Sequence, residues 1–282
     1  MGNLRYASPS GQVLELDGTI AYSGIAEDIR SNEWAYDLSS VGAVSGLSRT
    51  ARKASVKLYI SSRAYADAVC QTFEYDCAHF NVNGVAELTA FSDWKQSSIV
   101  VAEKLEAIGP DSVILECTAL LLDGVWRKTT VIHLEPGAGS TPLDTGLDYP
   151  TDFEFDYHGT SPSSEIRTLS SGGCMVGITF FGSCSNPYVR IGANIYGVNA
   201  SAAAGERIVI DPTKRHTVGR SVYRVGQFGE ITNLYDSRRR GTEGSGTYIF
   251  QSLEAGTYDV SWPQSYGVDI ALIEERGVLP WS

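Results

Sequence analysis

NPYVRIGANIYGVNASAAAGERIVIDP (residues 186–212) and YIFQSLEAGTYDVSW (248–262) consist of short runs of alternating apolar and polar residues, interrupted by Gly, Asn, Asp and Pro. Alternation with a period of two is typical of half-buried β-strands, and the interrupting residues favour tight turns. Such segments recur roughly every 8 to 12 residues through the second half of the chain, a spacing found in β-sandwiches. We therefore predict a carboxy-terminal β-sandwich.

The first half of the chain predicts a domain of β-sheets with one packed helix. In ARKASVKLYI (51–60), every second residue from Ala54 to Ile60 is apolar, which predicts a half-buried strand. SSRAYADAVCQTFEYD (61–76) instead spaces its apolar residues at helical intervals, behind two serines that can cap a helix amino terminus. The change of period predicts a helix packed on the strands.

Turn residues divide the rest of this half into further strands. Asp17-Gly18 lies inside QVLELDGTIAY, where it favours a two-residue hairpin, and a third strand is expected from Asp28 to Leu38. Asn83-Gly84 marks the next turn, and Asp123-Gly124 marks a further hairpin. The remaining strands of this half are expected within residues 84–91, 97–109, 111–124 and 125–135.

The two halves meet in PGAGSTPLDTGLDYPTDFEFDYHGTSPSS (136–164), where Pro, Gly and Ser concentrate. Four acids recur here every four residues, but Pro150 interrupts the spacing and argues against a helix. These acids are Asp144, Asp148, Asp152 and Asp156. They lack the ligand order of a known calcium loop, so we expect a solvated hinge between domains 1–145 and 146–282.

Composition narrows the function classes. The net charge is −11, from 22 basic and 33 acidic residues, and this argues against a protein that binds nucleic acid phosphates. The five cysteines have no CxxC pair or zinc spacing, so we expect reduced and mostly buried thiols. The amino terminus has no apolar signal region, and no run of 18 apolar residues occurs. We expect a soluble protein that folds in the cytoplasm, without a membrane partner.

The sequence carries few residues in patterns that support catalysis. It contains no GxSxG, HExxH, phosphate-binding or dinucleotide-binding motif, and its four histidines are scattered. Asp76, Cys77 and His79 form one compact group with metal-capable side chains. Because no second group lies at a matching spacing, a helix end with a buried thiol is the better interpretation. We predict no catalytic residue, metal or cofactor.

Basic residues cluster in both halves of this acidic chain. Basic patches on acidic proteins often contact acidic patches on partner subunits, so we predict that these residues lie at a subunit interface. The predicted interface residues are Arg49, Arg52, Lys53, Lys57, Arg238, Arg239 and Arg240. Lys214, Arg215, Arg220 and Arg224 extend the basic stretch of the second half.

The order of segments resembles that of the distal tail protein (Dit) family of long-tailed phages of Gram-positive hosts. In the first half, the similar features are GAVSGLSRTARKASVKLYI (42–60), the helix ending in FEYD and the sheet that continues to Trp126. The Tyr- and Asp-rich LDYPTDFEFDY connector follows. In the second half, IGANIYGVN, GERIVID, NLYDSRR, LEAGTYDVSW and VDIALIEERGVLPW appear in the family's order. The resemblance covers nearly the whole chain.

This resemblance implies a structural virion protein of the tail tip or baseplate, assembled in the host cytoplasm. It implies an amino-terminal domain, a split-barrel-like arrangement of sheets with one helix, that forms a homohexameric ring. Residues of about 274–282 would complete this domain, and a galectin-like β-sandwich would project outward. The implied partners are the major tail tube protein, the tail-associated hub or lysin protein and receptor-binding proteins. DNA would pass through the ring without specific binding.

Two other functions remain open on the sequence. Galectin-like sandwiches can bind sugars against a tryptophan, and Trp262 would be the stacking residue in a carbohydrate-binding, host-adhesion module. YDVSW reads equally well as a core strand that ends in a packed aromatic residue. A cell-wall hydrolase would need two carboxylates at a defined separation across a cleft, and the sequence singles out no such pair.

Overall fold

The computed structural model describes residues 4–23, 27–91, 93–137, 164–168, 172–213 and 219–279. It divides into two compact units: the described residues of 1–129 and 275–282 form unit 1, and those of 130–274 form unit 2. The predicted domain boundary at 145/146, the acidic hinge and the residues Lys214 and Arg215 lie outside the described residues. Both units consist mainly of β-strands, as predicted.

Unit 1 is built from antiparallel strands and three short or medium helices within the described residues. Its strands are β1 (Leu4–Ala7), β2 (Val13–Glu15), β3 (Ala21–Tyr22), β4 (Ala35–Leu38), β5 (Val44–Ser48), β6 (Arg52–Ile60), β7 (Ala86–Ala90), β8 (Trp94–Ala107), β9 (Val113–Leu121) and β10 (Trp126–Leu134), the last of which crosses the unit boundary. Its helices are α1 (Glu27–Arg30), α2 (Arg63–Ala78) and α3 (Phe80–Asn83).

The central part of unit 1 is the sheet β6–β9–β8. β9 pairs with β6 over the register Arg52↔Leu121 to Ile60↔Val113, and with β8 on its other side. The predicted alternation of β6 is confirmed, because every second side chain from Ala54 to Ile60 is buried and those between them are exposed or partly exposed. β8 continues through β7 and β1 to β2, while β3 pairs with the outer side of β6.

Helix α2 packs on this sheet, as the change of period predicts. The Ser62 Oγ accepts a hydrogen bond from the Tyr65 backbone N–H at 3.3 Å, which caps the helix. Val69 and Phe73 are buried in one core with strand residues such as Leu58 and Leu115. The Asn83-Gly84 turn is confirmed as well, since Gly84 ends α3 with a φ of 84°, which favours glycine.

Two local predictions in unit 1 are wrong and a third is only partly confirmed. Asp17-Gly18 does not close a hairpin, because β2 pairs with β1 whereas β3 pairs with β6. The strand predicted from Asp28 to Leu38 is present in its last part as β4, whereas its first residues belong to α1. Asp123-Gly124 forms a turn but no hairpin, since β9 pairs with β6 and β8 and β10 pairs with β8 and β21 (Val268–Arg276). A Cβ on Gly124 would lie 2.7 Å from the Thr50 carbonyl oxygen, so the turn requires glycine.

The residues that follow Glu274 contribute to the core of unit 1. Leu279 is 1% exposed and packs into the same hydrophobic cluster as Trp126. The Arg276 guanidinium lies 5.4 Å from the centre of the Trp94 ring. Arg127 Nε donates to Glu275 Oε1 at 2.8 Å. The carboxy-terminal segment thus supplies both apolar and charged contacts to unit 1.

Replacing Leu279 by alanine is expected to destabilise unit 1 by about 2 to 4 kcal/mol, because it leaves a cavity in the core. Hydrogen exchange of the α2 amides should measure this loss, since the slowest of them report the unfolding of unit 1. Val278, which is 49% exposed, supplies the control Val278→Ala, with little expected effect. Equal protection in the two variants would contradict a core role for Leu279.

Two antiparallel sheets of unit 2 share one core, which confirms the predicted β-sandwich. Its further strands are β11 (Ser164–Thr168), β12 (Cys174–Phe181), β13 (Cys184–Ser185), β14 (Tyr188–Ile191), β15 (Asn194–Gly197), β16 (Ser201–Ala202), β17 (Arg207–Asp211), β18 (Ser221–Val225), β19 (Ile231–Asn233), β20 (Gly256–Ser261) and β21, which crosses the unit boundary. One sheet has the order β19-β18-β17-β12-β21, and the other has the order β11-β20-β14-β15. β13 and β16 form a separate two-stranded sheet. A 3₁₀ turn spans Tyr235–Ser237.

The core of unit 2 follows from the alternation within its strands. Phe180, Ile208 and Ile270 from the first sheet belong to the same hydrophobic cluster as Ile191 and Val260 from the second, and all five are buried.

No helix among the described residues of either unit has the length and apolar character needed to cross a membrane.

Candidate assembly surfaces

The most exposed apolar surface of unit 1 is the hairpin of β4 and β5, which forms a two-stranded sheet of its own. Tyr36 lies opposite Leu47 and Leu38 lies opposite Val44 in its register. Tyr36 and Leu38 share a face because side chains alternate along β4, and residues directly opposite each other across the pair share a face. A register shift between Asp37 and Leu38 brings Val44 onto the same face as Leu47, although the two lie three residues apart. Each of these four apolar side chains is between 59% and 64% exposed. We call residues 34–48 the apolar hairpin.

The apolar hairpin is well formed although it exposes its apolar side chains. Its turn is closed by backbone hydrogen bonds from Ser39 N to Ala43 O at 2.8 Å and from Gly42 N to Ser39 O at 2.9 Å. At its base, the Arg49 guanidinium lies 4.3 Å from the centre of the Trp34 ring. Isolated two-stranded hairpins are marginally stable in water, and contiguous exposed apolar patches mark interaction sites. The hairpin is therefore a candidate docking element.

The predicted interface residues of unit 1 differ in what they contact. Arg52 donates to the Asp28 and Ile29 carbonyl oxygens at 2.7 and 2.9 Å, so it holds the end of α1 against β6. Burial lowers the pKa of Arg52, and the nearby charge of Asp28 partly opposes this shift. Arg52 is thus engaged within its own unit. Its position favours a structural role over an intersubunit one.

The two predicted lysines of unit 1 remain accessible on the exposed side of β6. Lys57 Nζ lies 2.9 Å from Glu116 Oε1, and this hydrogen bond raises the pKa of Lys57 and lowers that of Glu116. Exposed ion pairs of this kind contribute little to stability, so the pair is free to exchange partners. Lys53 is exposed and has no ion pair within the described residues. The proposed interface role of these lysines stays a prediction.

The predicted interface residues of unit 2 follow the 3₁₀ turn. The Arg238 guanidinium stacks 3.9 Å from the Tyr235 ring centre, and the Arg239 guanidinium lies 5.1 Å from the Tyr188 ring centre. Arg240 is exposed. Two of the three arginines therefore also pack on aromatic rings of their own unit, and Arg240 is the most available for a partner.

Asp76, Cys77 and His79 do not converge on a metal site. The Asp76 carboxylate accepts hydrogen bonds from Tyr6 Oη at 2.8 Å and from Ser8 Oγ at 2.6 Å, all of them buried. Cys77 Sγ donates to the Val100 carbonyl oxygen. The His79 ring stacks on the Tyr75 ring, and its Nδ1 forms a hydrogen bond with the Tyr75 carbonyl oxygen. Cys77 is exposed as a residue, which corrects the expected buried thiol. Within the described ranges, no group of three His, Cys, Asp or Glu residues could hold a metal ion.

Replacing Asp76 by alanine is expected to destabilise unit 1 by about 2 to 4 kcal/mol, because the buried hydroxyls of Tyr6 and Ser8 lose their acceptor. Chemical denaturation followed by circular dichroism measures this difference. Asp67→Ala is the matched control, since Asp67 is an exposed acid on the same helix. A metal site would instead show as a rise in the midpoint of the wild type when Zn²⁺ is added, and we expect no such rise.

Two of the cysteines, Cys70 and Cys117, lie in environments that suppress thiolate formation. None of the five is in a disulfide, and Cys117, Cys174 and Cys184 are buried, as predicted for most of them. Burial raises the pKa of both Cys70 and Cys117 to about 12, and the nearby Glu103 adds to this shift. Because the thiolate is the nucleophile, such thiols are poor nucleophiles at neutral pH.

The described part of unit 2 includes pockets that the sequence did not predict. One, of about 480 Å³, lies along β18 and β19 and is lined mainly by apolar surface, with Arg220, Tyr223, Ile231 and Tyr235 among its residues. We call it the β19 pocket. The residue types along these strands resemble those of any half-buried sheet, so the sequence offers no signal for it.

The second pocket, of about 440 Å³, is rich in polar groups. Ser183, Ser185, Asn186 and Ser265 line it together with Tyr188. We call it the hydroxyl pocket. Trp262 is not among its lining residues: the Trp262 ring packs against the core, and its Nε1 donates to the Tyr266 carbonyl oxygen at 3.1 Å. This contact favours the interpretation of YDVSW as a core strand.

Comparison with known proteins relates the whole chain to phage tail structures. No protein-family model and no curated protein matches the sequence significantly. Among solved structures, the chain is similar to the SPP1 Dit (gp 19.1) protein of the hub adsorption apparatus in phages infecting Gram-positive bacteria. That match has 11% identity and a TM-score of 0.48, and covers 98% of this chain and 99% of that chain.

The chain is also similar to a chain of the phage P2 baseplate in its activated conformation with Ca. The identity is 11% and the TM-score is 0.56, with 99% of this chain and 100% of that chain covered. At such low identity, the similarity establishes a common fold. The fold expected from the resemblance is therefore confirmed by its similarity to this phage baseplate chain.

Proposed function

We propose that this chain is a structural protein of a phage tail, a distal tail protein whose copies form a hexameric ring at the tail tip or baseplate. The ring would join the tail tube to the tail-associated hub or lysin protein and would hold the receptor-binding apparatus. The observation that carries this proposal is the exposed apolar hairpin in a chain whose fold matches a phage baseplate chain over its full length.

The apolar hairpin gives the proposal a physical basis beyond the fold, because a fold alone does not define a function. In a cyclic ring each subunit presents one surface to one neighbour and a different surface to the other. A preformed hairpin with four large apolar side chains on one face can serve as one of these two surfaces, since burying the side chains against a neighbour would release water from that face. The sixfold symmetry itself comes from the resemblance.

The charge of the chain suits a ring through which DNA passes. A net charge of −11 per copy would repel the phosphates of DNA, so that DNA could slide without binding. Lys53 and Lys57 are exposed on β6, but Glu116 lies beside Lys57 on β9 and balances its charge. A continuous ring of lysines and arginines along the channel would contradict this part of the proposal.

The proposal predicts that charges placed on the apolar hairpin prevent ring assembly. Wild-type protein, alone and mixed with its tail tube neighbour, should give sixfold rings in negative-stain microscopy. The double variant Tyr36→Asp/Leu47→Asp should stay monomeric in light scattering, because two desolvated carboxylates oppose docking. Val82→Asp is the matched control, since Val82 is 84% exposed in unit 1 outside the hairpin, and it should still assemble.

Two results would overturn the proposal. One is a wild-type protein that stays monomeric both alone and with the tail tube protein. The other is turnover of a cell-wall substrate in zymography. Rings that form equally well from the hairpin variant would reject the hairpin as the docking element while leaving the ring itself in place.

A carbohydrate-binding function is the second candidate, and the hydroxyl pocket is the observation that favours it. Serine hydroxyls and an asparagine beside a tyrosine ring are groups that bind sugar hydroxyls in protein sites. Calorimetric titration of the full chain with cell-wall saccharides tests it. Millimolar or tighter binding that is lost in Asn186→Ala would support adhesion, whereas we expect no measurable heat.

A further inference from the structure

The β19 pocket lies beside an open edge of a β-sheet. β19 is the last strand of its sheet in the described part of unit 2, and its three residues are all exposed. On either side of the β18–β19 pairing, Leu234 N donates to Val222 O and Gly226 N donates to Glu230 O, both at 2.8 Å. In an antiparallel pair, every second residue is hydrogen-bonded to the residue opposite it. The residue of β19 that is hydrogen-bonded to β18 is therefore Thr232, which lies between Glu230 and Leu234 in this alternation. The N–H and C=O groups of Ile231 and Asn233 therefore point outward.

Arg220 places a positive charge at this pocket, and no described residue supplies a counterion. Its Nη1 donates to Tyr248 Oη at 2.6 Å, while its Nε is buried and has no hydrogen-bond partner. No carboxylate of the described chain lies within ion-pair distance of this guanidinium. The guanidinium is partly exposed and its contacts among the described residues are uncharged, so an anionic group bound here would add a charge-assisted hydrogen bond.

Stacked side chains hold the floor of the pocket in place. Arg238 stacks on Tyr235, whose ring centre lies 6.2 Å from that of Phe250 at an interplanar angle of 24°. Phe250 contacts Tyr248 edge to face at 6.0 Å, and the Arg220 guanidinium lies 5.5 Å from the Phe250 ring centre. A site that is formed before binding loses little conformational entropy when a ligand arrives.

We propose that the β19 edge and the β19 pocket bind an extended, acidic peptide segment of another protein. The segment would pair with the outward backbone groups of Ile231 and Asn233 and extend the sheet by one strand. An acidic side chain would reach Arg220, and an apolar side chain two residues away would pack between Ile231 and Tyr235. A sugar acid could satisfy Arg220 but not the strand edge, which favours a peptide. This site does not depend on ring formation.

The probe is the peptide acetyl-Thr-Val-Thr-Glu-Thr-Val-Thr-amide, titrated into the full chain and followed by microscale thermophoresis. Its valines and glutamate share one face when it is extended. We expect saturable binding, and at least a tenfold weaker affinity, about 1.4 kcal/mol, when glutamine replaces the glutamate or in Arg220→Gln. Arg190→Gln, which changes an exposed arginine on β14, is the control and should bind like the wild type.

A second variant tests the strand edge independently of Arg220. Ile231→Pro removes an outward N–H without removing a hydrogen bond to β18, and should also weaken binding at least tenfold, whereas Ile231→Val should not. Thermal unfolding of each variant verifies that it is folded. The proposal is overturned if the peptide does not bind, if Arg220→Gln and Ile231→Pro leave its affinity unchanged, or if glucuronate binds and competes while the peptide does not.

Discussion

The pairing of strand edges is the constraint on which the rest of this structure depends. A strand must bond its backbone N–H and C=O groups on both sides or leave one side to water. In unit 1, β9 meets this requirement between β6 and β8, and the register it fixes decides which side chains of β6 face α2. A slip of one residue would turn Leu58 outward and Lys57 into the core. The hydrophobic cluster between α2 and the sheet therefore depends on the register of β6 against β9.

The same constraint identifies the parts of the molecule where strand edges are unpaired or apolar side chains are exposed. Among the described residues, no further strand pairs with the apolar hairpin, and its apolar face is exposed. In the same part of the chain, β19 has one unpaired edge beside a pocket whose arginine has no described counterion. The two features differ in kind, because the first is a hydrophobic surface and the second combines directional backbone groups with charge. This difference is why we propose self-association for the first feature and peptide binding for the second.

Sequence periodicity predicted the elements whose environment is uniform along their length. β6 and α2 were found because one face of each is buried throughout, and the mainly β composition of unit 2 followed from short alternating runs. It failed at Asp17-Gly18 and Asp123-Gly124, where local turn signals were right to mark a bend but the strands on either side pair with distant partners. It also could not separate the apolar hairpin from a core strand, since Trp34, Tyr36 and Leu38 alternate just as buried residues do. Burial is decided by the neighbours that the fold supplies, which local patterns do not contain.

Two of the polar groups that the sequence singled out are engaged in hydrogen bonds within unit 1, which is consistent with the proposed structural role. The carboxylate of Asp76 serves two buried hydroxyls, and the guanidinium of Arg52 serves the carbonyl oxygens at the end of α1. Both would have to abandon these partners to act on a substrate, leaving buried donors or acceptors without hydrogen bonds. Some buried polar atoms, such as Ser98 Oγ and Glu103 Oε2, have no hydrogen-bond partner in the described structure. It also leaves apolar side chains in water, an open strand edge and Arg220 Nε without a hydrogen bond. Under the two proposals above, another chain would complete the last three.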